Sequence, residues 1–178
     1  MKKKTLVELQ RISATEFKAT QKIPVVLILD NIRSALNVGS AFRTADAFLV
    51  EKIWLCGITA TPPHREILKT ALGATETVDW EFAKQTADAI RQVKEKNYRI
   101  FAVEQAHNSI ILDELEVTKN EKYCFIFGNE VGGVSDEVVE LSEACVEIPQ
   151  FGTKHSLNIA VCVGIIVWHT NQLFSKIM

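Results

Sequence analysis

The sequence predicts a single α/β domain: a mostly parallel sheet flanked by helices. Two observations carry that expectation. Apolar runs without polar interruption alternate with segments of helical periodicity, as strands buried on both faces alternate with the helices that cross between them. The chain is also of one-domain length: 178 residues, 47% apolar and 24% charged, can bury a full core without disulfides or metals. The apolar content excludes a disordered chain, and only 8 Gly and 4 Pro exclude collagen-like or low-complexity character.

Taken in order, residues 1–22 read as a basic helical extension, with Leu6, Leu9 and Ile12 at helical spacing and six Lys or Arg against two Glu. Pro24 to Leu29 reads as a strand, ended by Asp30-Asn31. Val38, Ala41, Phe42, Ala45 and Leu49 then mark a helix face. Lys52 to Cys56 is the next strand, and Pro63 to Leu72 a helix with proline near its start. A helix over Ala83 to Lys96 leads to a strand over Tyr98 to Val103. The strand Tyr123 to Phe127 precedes a short acidic helix from Ser135 to Leu141, a short strand from Val146 to Ile148 and a long helix from Leu157 to Phe174. No repeat or linker interrupts residues 23–178. The most apolar stretch, Ile159 to Trp168, is too short to span a bilayer, which takes about 20 residues, and reads as a buried helix.

The ends and the cysteines point to the cytoplasm. Met1-Lys2-Lys3-Lys4 is followed by Glu8, Gln10 and Arg11, where an export signal needs an apolar region. Cys56, Cys124, Cys145 and Cys162 sit apart in apolar runs, form no C-x-x-C pair, and read as buried free thiols. His64, His107, His155 and His169 fall at no metal-ligand spacing, and read as surface or packing histidines.

Parallel sheets bind ligands beyond the carboxyl ends of their strands, which singles out the loops 30–37, 104–108, 128–134 and 149–155. They hold no G-x-G-x-x-G, no Walker A and no nucleophile elbow. They hold three polar clusters instead. In the first, Asn37 is positioned to cap a helix, Gly39 admits a close approach to its first turn, and Arg43 follows one turn later on that face. The plainer alternative is a capped helix with a surface arginine. In the second, Phe127-Gly128-Asn129-Glu130 runs from a buried strand into glycines and a carboxylate, as a backbone approaching a ligand does, or as a turn before a helix capped by Ser135 does. In the third, Ile148-Pro149 is followed by Gln150 to His155 and then Ser156-Leu157-Asn158. A helix cap explains Ser156, but Asn158 among Leu157, Ile159 and Val161 requires a specific partner.

In this order the clusters resemble the three signature motifs of the TrmH (SpoU-like) family of RNA ribose 2'-O-methyltransferases, within the SPOUT superfamily: Asn37-x-Gly39-x-x-x-Arg43-Thr44-Ala45, Phe127-Gly128-Asn129-Glu130, and Ile148-Pro149 with Ser156-Leu157-Asn158. The resemblance covers about residues 24–172. It implies an α/β domain with a C-terminal deep trefoil knot, S-adenosylmethionine (AdoMet) as cofactor, a homodimer, and RNA lying across the subunit boundary. It implies a cofactor site at Val103, Glu104, Gly128, Asn129, Ile148, Ser156 and Leu157. Arg43, Asn37, Glu130, Ser156 and Asn158 match the residues that organise catalysis, and Arg33, Arg43 and Lys154 are the expected RNA contacts. No metal is implied. The chain departs from commoner relatives at Gln150 to His155, where a methionine and smaller residues follow the proline, and at Ala35-Leu36, where many have His or Pro. Both departures lie where substrate is expected.

The leading expectation is therefore an AdoMet-dependent RNA 2'-O-methyltransferase acting on tRNA, the chain showing no extra substrate-binding domain. The alternatives are rRNA as substrate, a non-catalytic RNA- or cofactor-binding member of the same fold, and an unrelated flavodoxin-like nucleotide binder. The formal net charge of -2 excludes an indiscriminate polyanion binder. It does not exclude a selective one, because residues 1–22 carry +4, residues 23–112 balance, residues 113–147 carry -8 and residues 148–178 carry +2.

Overall fold

The computed structural model describes residues 1–5 and 7–177. The uninterrupted apolar run after Lys22 is strand β1 (Ile23–Asp30), preceded by a short helix α1 (Ala14–Ala19). Then follow α2 (Ala35–Ala47), β2 (Val50–Cys56), α3 (Arg65–Ala71), α4 (Ala74–Thr77), β3 (Asp79–Ala83), α5 (Thr86–Glu95) and β4 (Tyr98–Val103). The second half contains β5 (Ile110–Ile111), β6 (Lys122–Phe127), α6 (Asp136–Leu141), β7 (Ala144–Glu147) and α7 (Ile159–Ile177).

Among the described residues the seven strands form one sheet in the order β3-β2-β1-β6-β4-β7-β5, and every pairing between them is parallel. The period-2 alternation of strand side chains splits the core into two layers. Val25, Leu27 and Leu29 of β1, with Phe101, Tyr123, Phe125 and Phe127, pack under α2, α3 and α7. Val26 and Ile28, with Ile100, Cys124 and Ile126, pack under α5 and α6. The register then aligns the strand ends. Leu29 pairs with Phe127, Phe127 with Val103, and Val103 with Val146, so the loops after β1, β6, β4 and β7 leave the sheet from one row. The order also reverses here: β2 and β3 lie outward of β1, while β4 lies beyond β6, and such a switch opens a crevice.

Several expectations need correction. Among the described residues of the segment 1–22, only Ala14–Ala19 are helical, started by a capping box between Ser13 and Glu16; Leu6 lies outside the described residues. Asn37 does not cap α2. Ser34 does, its hydroxyl accepting from the Asn37 amide, and Asn37 falls inside the first turn. The helix expected over Ala83 to Lys96 starts later, at Thr86, because Asp79–Ala83 is an edge strand paired to β2. The helix expected from Pro63 begins at Arg65 behind His64, the strand expected over Val146 to Ile148 is Ala144–Glu147, and the last helix starts at Ile159. The two-residue strand β5 is too short to leave a periodic signal. Three of the four thiols are buried; Cys162 is only half-buried.

Candidate functional site

The loop after β6 is folded on itself. The Asn129 side-chain oxygen accepts from the amides of Val131 (2.9 Å) and Gly132 (3.2 Å), and its Nδ2 donates to the carbonyl of Asn31 (2.7 Å) at the end of β1. Asn129 and Gly133 exchange both backbone hydrogen bonds, a closure that takes Gly133 to φ 66°. A Cβ on Gly128 would lie 2.2 Å from the carbonyl carbon of Gly133. The far limb of its own loop thus packs closely against Gly128.

That closure aims Glu130 at the start of α2. Its carboxylate accepts from the amides of Arg33 (2.9 Å) and Ser34 (3.1 Å) and from Asn37 Nδ2 (3.1 Å). Burial acts to raise its pKa, but the amides of Arg33, Glu130 and Ser34 and the Asn37 side chain outweigh burial and hold it below the ordinary carboxylate value. Asn37 Oδ1 in turn accepts from Asn158 Nδ2 (3.3 Å), and Asn158 Oδ1 caps α7 by accepting from the Ala160 amide (2.8 Å). The cap of α7 is therefore Asn158 and not Ser156. One continuous array, Glu130–Asn37–Asn158, joins one residue from each of the three sequence clusters.

Beside the array lies a cavity of about 550 Å³, within the range of small-molecule sites. Its wall includes Val103, Glu104, Gly128, Asn129, Ile148, Ser156 and Leu157, together with Glu130 and Asn158. Glu104 ties two of its loops, accepting from the amides of Gln105 (2.9 Å) and Val134 (3.0 Å). Gln105 ties a third, its Nε2 donating to the His155 carbonyl (2.6 Å). The sequence reading pointed to the loop that holds Gln105 but not to the residue, since one polar side chain in a polar loop leaves no signal.

The cations lie outside this set. Arg33, Arg43 and Lys154 are exposed and do not line the cavity, and Arg33 meets Glu130 through its main chain. The reading of Gly39 is also corrected. A Cβ there would lie 2.1 Å from Thr70 Oγ1 and 2.3 Å from the Ile67 carbonyl oxygen. Helix α3 is what approaches that turn so closely. Among the described residues, no cluster of His, Cys, Asp or Glu is placed to hold a metal ion, and no helix is long and apolar enough to cross a membrane.

Fold and site define an open parallel α/β domain with a small-molecule cavity beyond the carboxyl ends of β6, β4 and β7 and an amide–carboxylate array at the rim. Residues 24–168 match the SpoU rRNA Methylase family, and the chain belongs to that family. It is 30% identical over 149 residues to a 23S rRNA (guanosine-2'-O-)-methyltransferase of Neisseria meningitidis serogroup B, covering 84% of this chain and 58% of that relative. It is 27% identical to a tRNA (guanosine(18)-2'-O)-methyltransferase of Aquifex aeolicus, covering 83% of this chain and 69% of the relative. The AdoMet-bound rRNA methyltransferase structure from Sinorhizobium meliloti superposes with a TM-score of 0.78 at 26% identity, over 88% of this chain and 59% of that one. The chain thus spans less than three fifths of some relatives it matches, as in the 58% and 57% for the two 23S rRNA enzymes.

Proposed function

We propose that this chain transfers a methyl group from AdoMet to a ribose 2'-hydroxyl of RNA, with tRNA as the substrate and the cytoplasm as its place of work. The Glu130–Asn37–Asn158 array carries the reading: three segments far apart in sequence hold one another at the rim of one cavity. The cavity fits the cofactor. About 550 Å³ accommodates a molecule of that size, and the wall pairs apolar Val103, Ile148 and Leu157, suited to a heterocycle, with loop main chain and Gln150, suited to polar groups. Bound there, AdoMet supplies an electrophilic methyl group. The knotted passage of the last segments implied by the resemblance belongs to this reading.

The residues of the chain divide the remaining work. Glu130 is ionised and already accepts three hydrogen bonds, which makes it a poor proton acceptor and a good anchor for Asn37. Asn37 and Asn158 are held by both ends of their amides and give the rim a fixed geometry, as in-line displacement requires. Ser156 adds a hydroxyl to the same wall. Arg43 supplies a permanent positive charge for the developing alkoxide and for a neighbouring phosphate; a guanidinium is an electrostatic stabiliser here and not a base. Arg33 and Lys154 add phosphate contacts.

Helix α7 supports a homodimer. Val161 (49% exposed) and Trp168 (53%) lie two turns apart on it, and the buried His169 Nε2 has no hydrogen-bond partner among the described residues. The Aquifex aeolicus tRNA enzyme, of which this chain covers 69%, is in keeping with tRNA, and the 23S rRNA enzyme of Neisseria meningitidis, at 30% identity, keeps rRNA as the alternative. Calorimetric titration with AdoMet, flavin and NAD tests the cofactor, and tritiated methyl transfer to unmodified tRNA and rRNA tests the reaction. Arg43→Ala is expected to keep AdoMet affinity and lose methyl transfer. Full turnover by that variant refutes the role of Arg43, and binding of flavin or NAD in place of AdoMet refutes the whole reading.

A further inference from the structure

The loop between β7 and α7 presents its phenylalanine to water. Phe151 is 98% exposed, more than any other aromatic ring of the described chain, although the residues on either side of its segment, Gln150 and His155 to Leu157, line the cavity. The segment is not loose: Gln105 Nε2 holds the His155 carbonyl, and Asn158 is fixed by Asn37 and by its cap of α7. Lys154, three residues on, is exposed on the same segment. Across the mouth, Val131, also a cavity-lining residue, is 78% exposed. A segment whose two ends line a small-molecule cavity thus carries a projecting aromatic ring and a cation, and its carboxyl end is tied to the neighbouring loops.

We infer that Phe151 is a stacking platform for a nucleobase of the RNA substrate, with Lys154 on the adjoining phosphate. This inference rests on the function proposed above. The cavity takes the cofactor, so what enters its mouth is the nucleotide to be modified, and single nucleotides are gripped by stacking on aromatic rings and by cations on the backbone. The apolar platform and the neighbouring positive charge together match a base and its phosphate. They match an apolar protein surface less well, because burying Lys154 against such a surface without a partner is costly. Stacking accepts every base, so the platform sets how the nucleotide is held and not which base is chosen.

The test uses the full chain and an unmodified, transcribed tRNA pool. Phe151→Ala removes no buried contact and is expected to leave the melting temperature, the AdoMet affinity and the sedimentation mass unchanged. It raises the RNA Kd and KM by about tenfold to a hundredfold, with kcat at saturating RNA retained. The slope of log Kd against log salt stays the same, whereas Lys154→Ala lowers it by about 0.7–0.9 for one lost phosphate. Phe151→Trp restores binding and Phe151→Leu does not. Wild-type affinity in Phe151→Ala overturns the inference. So does full rescue by leucine, which marks a mere apolar cover, or a change of sedimentation mass in Phe151→Ala, which marks a contact with a second copy of the chain. If the wild-type protein methylates no RNA, the proposed function fails first; if it methylates and Phe151→Ala matches it, only the platform fails.

Discussion

Replacing Gly39 by alanine separates two uses of a glycine near the start of a helix. If the glycine admits a ligand, the change harms binding and leaves the fold alone. If it admits helix α3, the change harms the fold. An alanine Cβ would stand 2.1 Å from Thr70 Oγ1, 2.3 Å from the Ile67 carbonyl oxygen and 3.0 Å from its carbon. The Thr70 hydroxyl is itself committed to the Leu36 carbonyl (2.9 Å), and the other two atoms are main chain, so α3 must move by about 1 Å. Overpacking of this kind costs about 1–3 kcal/mol, and the better helix propensity of alanine returns about 1 kcal/mol. A clash with main chain falls in the upper part of that range, leaving a net loss of about 1–2 kcal/mol. For a domain of this size that lowers Tm by about 2–8 °C. Thermal unfolding followed by circular dichroism, with AdoMet titration below the transition, reads both quantities. An unchanged or higher Tm together with lost AdoMet binding would refute the packing argument.

Three further outcomes follow from the same structure. Glu130→Gln keeps one acceptor where three donors converge, so its Tm is expected below wild type at neutral pH. Because the folded-state pKa of Glu130 is depressed, that difference is full above the unfolded value of about 4.3 and closes as pH falls through the folded value; a difference that grows on acidification contradicts the assignment. Burial, and then the charge of Asp30, pushes the Cys56 thiol up to about 12, and burial raises Cys124, Cys145 and Cys162 as well, so a thiol reagent at pH 7 should label the native chain slowly, with half-buried Cys162 first, and all four in denaturant. Rapid stoichiometric labelling of the native protein would show these surroundings to be wrong. Trp168→Glu, at a half-exposed site, is expected to give a folded monomer by analytical ultracentrifugation if α7 forms the dimer contact; an unchanged dimer excludes that face.

The parts of this fold that were legible in the sequence are those with a one-dimensional signature. The inner strand Lys122–Phe127 is buried on both faces over Tyr123 to Phe127 and reads there as a continuous apolar run, which places it to within one residue. Asp79–Ala83 escaped because an edge strand with Asp79, Glu81 and Phe82 exposed has neither the run nor a clean alternation. The polar clusters were legible as types, since an amide among aliphatic residues requires partners. Their division of labour was not. Asn37 and Ser34 are both good cap residues three positions apart, and only the arrival of Glu130, 93 residues later, determines that Ser34 caps while Asn37 faces the rim. Gly39 and Gly128 were recognisable as sites of close approach, but local sequence does not say what approaches.

The distribution of charge shows the same dependence on tertiary placement. Residues 113–147 hold the acidic excess, which taken alone repels RNA. Much of it is used within the fold. Glu121 and Glu143 precede β6 and β7, at the amino ends of the strands and away from the cavity, where both meet Arg99. Asp136 and Glu137 sit in the first turn of α6, where the helix dipole favours anions. Glu130, the acid nearest the proposed chemistry, is enclosed by three donors and presents an organised hydrogen-bond array more than a free charge. At the carboxyl ends of the strands, Arg33 and Lys154 stand exposed on the loop after β1 and the loop after β7, and Arg43 is exposed further along α2. The fold thus sorts a slightly acidic chain into an internally paired amino-end edge and a cation-bearing rim. For RNA approaching within a Debye length of about 8–10 Å, the rim's local charge governs attraction more than the sum over the chain.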